Sequence, residues 1–388
     1  MQIYLVGGAV RDALLSRLFG WPAPARADRD WVVVGASPEA MAKAGFEPVG
    51  RDFPVFLHPG TREEYALART ERKTAPGYRG FAFHTAPDVT LEQDLARRDL
   101  TINAMAVAAA EADHPADAAL IDPWGGLEDL RQRVLRHVTP AFAEDPVRIL
   151  RVARFAARWP DFQIAPDTLD LMRDMVAHGE ADHLVPERVW QEVARGLCEA
   201  RPSQLVRVLA DCGLLARLDL RTLEQHAFTP ALAATPLFAR AGLTERWCWL
   251  VAGESDPGRL RTLCERWRVP TAERDLALLV QRERHALRTA DVGDVDGLMA
   301  LFERCDAWRK PQRLRQALDV IDGEALQTGP EQTTRVHAST QGLRQALDRL
   351  QSLDTAAITR AALAEGAQGP AVGEHLRQAR RAHLLSRD

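Results

Sequence analysis

The stretch Asp28-Arg29-Asp30, which runs directly into Trp31-Val32-Val33-Val34, decides how the first third of this chain is organised. The β-branched run predicts a buried strand. Side chains alternate along a strand, so Asp28 and Asp30 share one face. Two carboxylates about 7 Å apart on one face repel each other unless a cation lies between them. Mg²⁺ is commonly held by one or two carboxylates together with substrate phosphates, so this pair is a candidate metal site. The alternative is a solvated turn before a strand.

The residues before this pair form a second pattern. Gln2 to Val6 predicts a short strand, Gly7-Gly8 a turn, and Ala9 to about Leu18 a helix. Glycines at a strand-to-helix turn let the backbone approach a phosphate, and the helix N-terminus presents free N–H groups to it. Arg11 falls in the first turn of that helix. By itself a glycine pair before a helix is weak evidence for phosphate binding. Here it is followed by the DxD pair on the next strand, and the combination is more specific.

The next segments predict a hairpin and a loop. Phe53 to His58 and Glu64 to Arg69 are strand-like and are separated by a turn. Glu64 is the nearest candidate for a third carboxylate facing the metal pair, although a glutamate at the start of a hairpin strand is usually just solvated. Residues 74–87 are rich in Gly, Pro and aromatic residues, which predicts a loop beside the site or a plain linker.

The segment from Leu91 to Ala104 concentrates charge and amides. On a helix, Asp94 is a neighbour of Arg97 and Arg98 at three and four residues. Positive charge, a carboxylate and amide groups in one place suit contacts with a triphosphate and a sugar. The alternative is a surface ion-pair network, which is common and contributes little to stability.

A helix beginning near Asp145 carries a regular row of arginines. Glu144 and Asp145 precede Pro146, which suits a first helical turn. Asp145 can accept a hydrogen bond from the exocyclic amino group of cytosine or adenine, and Arg148 can donate to the adjacent ring nitrogen. Uracil and guanine have the opposite polarities. Arg151 and Arg154 repeat the three-residue step, over phosphates or more of the base. The alternative is an amphipathic helix with a solvated basic face.

Composition limits the class of protein. The chain has 388 residues, 46% hydrophobic and 27% charged, with a net charge of −4, as in a globular protein of several compact units. We expect no signal peptide and no membrane span. Five scattered cysteines without metal-ligand spacing indicate buried thiols in the reducing cytoplasm. After about residue 131 the sequence predicts helices almost to the end.

Four motifs follow one another along the chain: YLVGGAVRD, DRDWVVVG, RRDLTINA and EDPVRILRVARFAAR. Together they resemble the class II tRNA nucleotidyltransferases, the CCA-adding enzymes, and most closely the proteobacterial forms, over roughly residues 1–200. The resemblance implies an α+β fold, with a polymerase-β-like nucleotidyltransferase head (1–138), a helical neck (139–213) that recognises the base, and a helical body and tail (214–388) that binds tRNA. It implies Mg²⁺ on Asp28 and Asp30. The nucleotide-binding residues that it implies are Gly8, Arg11, Arg98, Asp145, Arg148, Arg151 and Arg154.

The implied activity is template-independent addition of CCA to the 3′ end of tRNA from CTP and ATP, with release of pyrophosphate. A bacterial poly(A) polymerase and a non-catalytic RNA-binding protein are the alternatives. Close relatives often carry an HD phosphohydrolase domain. No His-Asp dipeptide occurs in this chain, and Arg246 to Gly253, where one would be expected, contains no histidine. We therefore expect no phosphatase or cyclic phosphodiesterase activity.

Overall fold

A computed structural model describes residues 1–22, 29–49, 55–73, 81–84, 86–218, 220 and 228–386. This part of the chain forms ten strands and nineteen α-helices in two compact units, Met1–Leu220 (unit 1) and Arg221–Asp388 (unit 2). The strands are β1 (Gln2–Val6), β2 (Asp30–Val34), β3 (Glu47–Val49), β4 (Val55–Leu57), β5 (Glu64–Leu67), β6 (Thr70–Lys73), β7 (Phe81–His84), β8 (Ala106–Ala108), β9 (Val134–Leu135) and β10 (Gln163–Ile164).

The helices of unit 1 are α1 (Gly8–Phe19), α2 (Pro38–Lys43), α3 (Leu91–Ala96), α4 (Gly126–Gln132), α5 (Val147–Arg158), α6 (Pro166–Ala177), α7 (Pro186–Leu197), α8 (Pro202–Asp211) and α9 (Leu214–Arg217). Those of unit 2 are α10 (Pro230–Ala233), α11 (Pro236–Arg240), α12 (Leu243–Leu250), α13 (Pro257–Arg266), α14 (Thr271–Thr289), α15 (Val295–Arg304), α16 (Pro311–Ala325), α17 (Pro330–Gln351), α18 (Thr355–Ala364) and α19 (Pro370–Leu385). None of the helices described is long and apolar enough to cross a membrane.

The largest sheet of unit 1 has the strand order β3-β4-β5-β2-β1-β8. Strands β2 and β5 are parallel, and the other neighbours are antiparallel. The predicted strands β1 and β2, the helix between them and the β4–β5 hairpin are confirmed. Because β2 lies inside the sheet, Trp31, Val32 and Val33 are all buried, which explains its continuous apolar run.

Two predictions about local structure are wrong. Within the predicted loop, β7 pairs with β6, while residues 74–80 and 85 lie outside the described part. The predicted all-helical region after residue 131 contains β9, which pairs in parallel with β10. Each of these two strands has two residues, too few to show an alternating pattern in the sequence. The boundaries predicted at 138 and 213 remain predictions, and the compact units divide between 220 and 221.

Helix α5 is the central helix of the second half of unit 1. It packs against α7 and α8, and its apolar residues are almost completely buried. Phe155 stacks on Trp159 with their ring centroids 5.2 Å apart. The alternative considered for this helix, a solvated basic face, does not form at Arg148 and Arg154, which are only 8% exposed. A buried guanidinium needs hydrogen-bond partners, and the site described below supplies them.

Unit 2 is helical throughout its described residues. Helices α12, α14, α16 and α17 pack around a core that includes Trp247 and Trp249. The Trp249 indole N–H donates to the carbonyl of Val320 at 3.0 Å. A Cβ at Gly323 would lie 2.6 Å from Trp249 Nε1, so only glycine lets α16 come this close to α12.

Candidate active site

The turn between β1 and α1 is built by Gly7. Its φ of 72° and ψ of −128° belong to a region that glycine adopts readily and other residues do not. A Cβ placed on Gly7 would lie 3.1 Å from Arg98 Nη1 and 3.9 Å from Asp30 Oδ2. Bare backbone, a guanidinium and a carboxylate therefore meet beside the N-terminus of α1, whose first-turn N–H groups lack intrahelical partners. This meeting point is called the glycine-turn site below.

The carboxylates at this site come from neighbouring strands. Asp30 is the exposed first residue of β2, and its partner across the parallel pair is the exposed Glu64 of β5. Residues in register on neighbouring strands share a face about 4.8 Å apart, so Glu64 lies beside Asp30. Asp28 lies outside the described residues. No group of three or more His, Cys, Asp or Glu residues arranged to hold a metal is found in the part of the chain described.

Arg98 is aimed at the glycine turn by a buried carboxylate. Asp94 is completely buried and accepts hydrogen bonds from Arg97 Nε and Nη2, Arg98 Nη2 and the backbone N–H of Arg69, at 3.0–3.3 Å. Burial alone would raise the pKa of Asp94, but the two guanidinium groups outweigh it, and its pKa lies below the usual value. The predicted Asp94–Arg97–Arg98 cluster therefore forms. Arg98 Nε is buried and has no hydrogen-bond partner among the described residues, which is rare for a buried donor.

A second buried carboxylate joins the RRD segment to α5. Asp99 accepts hydrogen bonds from Arg151 Nε at 2.7 Å, Asn103 Nδ2 at 2.9 Å and the backbone N–H of Leu100 at 2.9 Å. Burial acts to raise the pKa of Asp99, but Arg151 and the hydrogen bonds hold it far below its usual range. The Asp99 carboxylate in turn raises the pKa of Arg151. Arg151 thus lies next to the RRD segment, bound to its aspartate.

Arg11 is buried beneath the turn. Its guanidinium donates to Asn103 Oδ1 at 2.5 Å and pairs with Asp12 at 2.7 Å. It also lies over the rings of Phe155 and Trp159, at 5.2 and 4.9 Å from their centroids. Burial lowers the pKa of Arg11 despite the nearby Asp12. With 5% of its surface exposed, Arg11 supports the turn from below. Gly8, which follows the turn, is less constrained, because a Cβ there would meet Arg11 Nη2 at an ordinary 3.5 Å.

The predicted base-reading residues lie at the start of α5 but do not bond to each other through their side chains. Asp145 receives two hydrogen bonds from Arg188, Nη1 to Oδ1 at 3.1 Å and Nη2 to Oδ2 at 2.7 Å. Arg148 donates to the carbonyl of Ala141 at 2.8 Å and to that of Arg97 at 2.6 Å. The bond to Arg97 places the start of α5 directly against the residue that precedes Arg98, so α5 and the glycine-turn site are neighbours within unit 1.

Arg154 lies in a buried ion pair. Its Nε donates to Glu192 Oε2 at 2.7 Å, both side chains are at most 10% exposed, and its guanidinium lies 4.4 Å from the Phe155 ring centroid. Sequence reasoning missed Glu192 and Arg188. No pattern in the sequence indicates that Arg188 pairs with a residue 43 positions earlier.

Two family models match the chain. The model described as "Poly A polymerase head domain" matches residues 3–136, and the one described as "Probable RNA and SrmB- binding site of polymerase A" matches residues 161–220. The fold and the site thus define a nucleotidyltransferase of the class that has this polymerase head.

Curated relatives match almost the whole chain. The multifunctional CCA protein of Paracidovorax citrulli is 51% identical over 418 aligned positions, which cover 98% of this chain and 96% of the relative. That of Azoarcus sp. is 50% identical and covers 95% of this chain and 94% of the relative. The chain belongs to this family of CCA proteins, the tRNA nucleotidyltransferases. Because 418 aligned positions exceed the 388 residues of the chain, the first relative has segments that this chain lacks.

Solved structures agree on the fold. A CCA-adding enzyme in complex with ATP has a TM-score of 0.67 and 23% identity, covering 99% of this chain and 86% of that one. The Thermotoga maritima CCA-adding enzyme complexed with tRNA also has a TM-score of 0.67, with 22% identity and coverage of 100% and 88%. These likenesses confirm the α+β class, with a polymerase-β-like head followed by helices.

Proposed function

We propose that this chain adds CCA to the 3′ end of tRNA from CTP and ATP at the glycine-turn site, with release of pyrophosphate. The observation that carries the proposal is that a single point above Gly7 lies within 4 Å of both Arg98 Nη1 and Asp30 Oδ2. Backbone, positive charge and a carboxylate at one point are what a metal-bound triphosphate needs. The name shared by the curated relatives and the ATP, CTP and tRNA complexes of the solved neighbours support the same reaction.

The phosphates would lie between the N-terminus of α1 and Arg98. The Gly7 turn keeps side chains out of this space, so the N–H groups of α1 can approach the phosphate oxygens. Asp94 fixes Arg98 with its Nη1 toward the turn, so little side-chain entropy remains to be lost on binding. Arg11, being buried, acts by holding the turn against α5.

Asp28 and Asp30 would hold Mg²⁺, and Glu64 is placed to assist. These residues suit Mg²⁺ for two reasons. Asp30 Oδ2 points to the glycine turn, and carboxylate oxygens are the hard donors that this ion prefers. When bound, Mg²⁺ would activate the attacking hydroxyl and offset the charge of the leaving pyrophosphate. The chain itself positions the tRNA 3′-hydroxyl in line with the α-phosphate, and the direct transfer needs no covalent enzyme intermediate.

Base selection would fall to the start of α5. Asp145 accepts from the exocyclic amino group that cytosine and adenine share, and Arg148 is the candidate donor to the neighbouring ring nitrogen. Arg151 and Arg154, which are paired with Asp99 and Glu192, would orient α5 against the RRD segment.

The experiment is incubation of the protein with tRNA that lacks its 3′ CCA, followed by sequencing of the 3′ ends. With all four triphosphates we expect termination at CCA, and with CTP alone we expect stable addition of C. Runs of A without C would show a poly(A) polymerase instead. Absence of any addition, with retained tRNA binding, would show a non-catalytic RNA-binding protein. An Asp30→Ala variant controls for contaminating activity.

We also infer a cytoplasmic location, because Cys212, Cys248, Cys264 and Cys305 are buried free thiols. Burial raises the pKa of Cys212 and Cys264 to about 11, which keeps these thiols protonated and unreactive. Cell fractionation that found the protein in another compartment would contradict this inference.

A further inference from the structure

The carboxylate of Asp145 is almost fully occupied by hydrogen bonds from the chain itself. An ionised carboxylate has about four lone-pair positions, two on each oxygen. Oδ1 accepts from Arg188 Nη1 at 3.1 Å and from the backbone N–H of Val147 at 3.1 Å, while Oδ2 accepts from Arg188 Nη2 at 2.7 Å. Among the described residues these are the hydrogen bonds to this carboxylate. One lone pair, on Oδ2, is left for a ligand.

The guanidinium group of Arg188, which donates to both oxygens of Asp145, comes from another helix. Arg188 lies in the first turn of α7, whereas Asp145 lies just before α5, and these two helices pack together. Both side chains are partly buried, at 28% and 20% exposed. A paired, planar guanidinium fork restricts rotation of the carboxylate more than a single donor does. Val147 fixes the same oxygen from the side of α5, so the plane of the carboxylate is held from two directions.

This occupancy limits which base can bind. Cytosine and adenine offer an amino donor beside a ring-nitrogen acceptor, whereas uracil and guanine have an N–H donor at that ring position. A carboxylate that could rotate would also accept from those ring N–H groups. A carboxylate with one lone pair available in one direction accepts only a donor placed where the amino group lies.

We propose that Arg188 is a positioning residue for base selection, which holds Asp145 so that it accepts from the amino group of CTP or ATP and rejects UTP and GTP. This inference rests on the proposed CCA-adding function. Arg188 does not touch the nucleotide in this account, and its effect is exerted through Asp145.

The test compares kcat/KM for CTP and UTP, and for ATP and GTP, in the full-length protein with truncated tRNA. In Arg188→Ala the preference for CTP over UTP should fall roughly tenfold, the size of one well-formed base contact. Arg188→Lys keeps the charge but not the fork, and should lose part of the preference. Arg195→Ala is the matched control, because Arg195 lies on the same helix, is 57% exposed and contacts Glu192 only at 4.0 Å.

The decisive comparison is with Asp145→Ala. If Arg188 acts through Asp145, adding Arg188→Ala to Asp145→Ala should change the preference no further. An equal loss of kcat for all four triphosphates in both Arg188 variants, with the preference intact, would overturn the proposal in favour of a structural role. If Arg188→Ala does not fold, the base preference of Arg188→Lys is the deciding measurement, and an unchanged preference would overturn the proposal. If Asp145→Ala itself leaves the preference unchanged while CCA is still added, base reading by Asp145 fails, the CCA-adding function stands, and the proposal for Arg188 is overturned.

Discussion

The two glycines of the turn are adjacent in sequence but differ in what they tolerate, and this difference gives a sharp prediction. Gly7 has a φ of 72°, and a Cβ there would lie 3.1 Å from Arg98 Nη1. Gly8 has ordinary helical backbone, and its Cβ would make only a 3.5 Å contact with Arg11 Nη2. We therefore expect Gly7→Ala to be destabilising and Gly8→Ala to be close to neutral for folding.

The expected magnitude follows from the backbone. Holding a non-glycine residue in such a conformation costs about 1–3 kcal/mol. The close contact adds to this, because Asp94 restrains the Arg98 guanidinium that would have to move. In a unit the size of Met1–Leu220, each kcal/mol lowers the melting temperature by roughly 2–4 °C. Gly8→Ala should stay within about 0.5 kcal/mol of the wild type.

The assay is thermal unfolding followed by tryptophan fluorescence, with KM for CTP measured in parallel. Gly7→Ala should melt several degrees lower and should also raise KM for CTP, because Arg98 is displaced from the phosphate position. Equal melting temperatures for the two variants would refute the argument, since the space beside Gly7 would then not be restricted by Arg98.

Four further predictions follow from the site. Asp28→Ala or Asp30→Ala should nearly abolish turnover without changing the melting temperature, and substantial activity in both variants would disprove the metal role. Asp145→Ala and Arg148→Ala should increase U and G incorporation more than they weaken triphosphate affinity, and a uniform loss of rate would contradict base reading. Because the folded pKa of Asp99 is depressed, its stabilising effect is present above the ordinary value of 3.8 and is lost as the pH falls below it. Melting temperature should thus fall in acid, and less steeply in Asp99→Asn. Finally, pure protein should not hydrolyse 2′,3′-cyclic nucleotides with added metal, and metal-stimulated hydrolysis would refute this.

Local patterns explain why much of the fold could be predicted. The strand, glycine turn, helix and second strand of the first 34 residues each have a pattern that depends only on near neighbours. The same is true of Asp94 with Arg97 and Arg98, since helix geometry brings residues three and four apart into contact. The pairs β6–β7 and β9–β10 were missed because short strands between glycines or helices leave no period to detect.

The sequence by itself determined the class of chemistry, because the residue types expected of a phosphate-binding turn, a metal-binding pair and a base-reading helix occur in order. Only the tertiary structure decided what each of these side chains bonds to. Parallel pairing brings Glu64 beside Asp30, the packing of α1 on α5 buries Arg11, and the packing of α7 on α5 brings Arg188 to Asp145. Such contacts join residues tens of positions apart, and they depend on how whole elements pack, which periodicity along the chain does not specify.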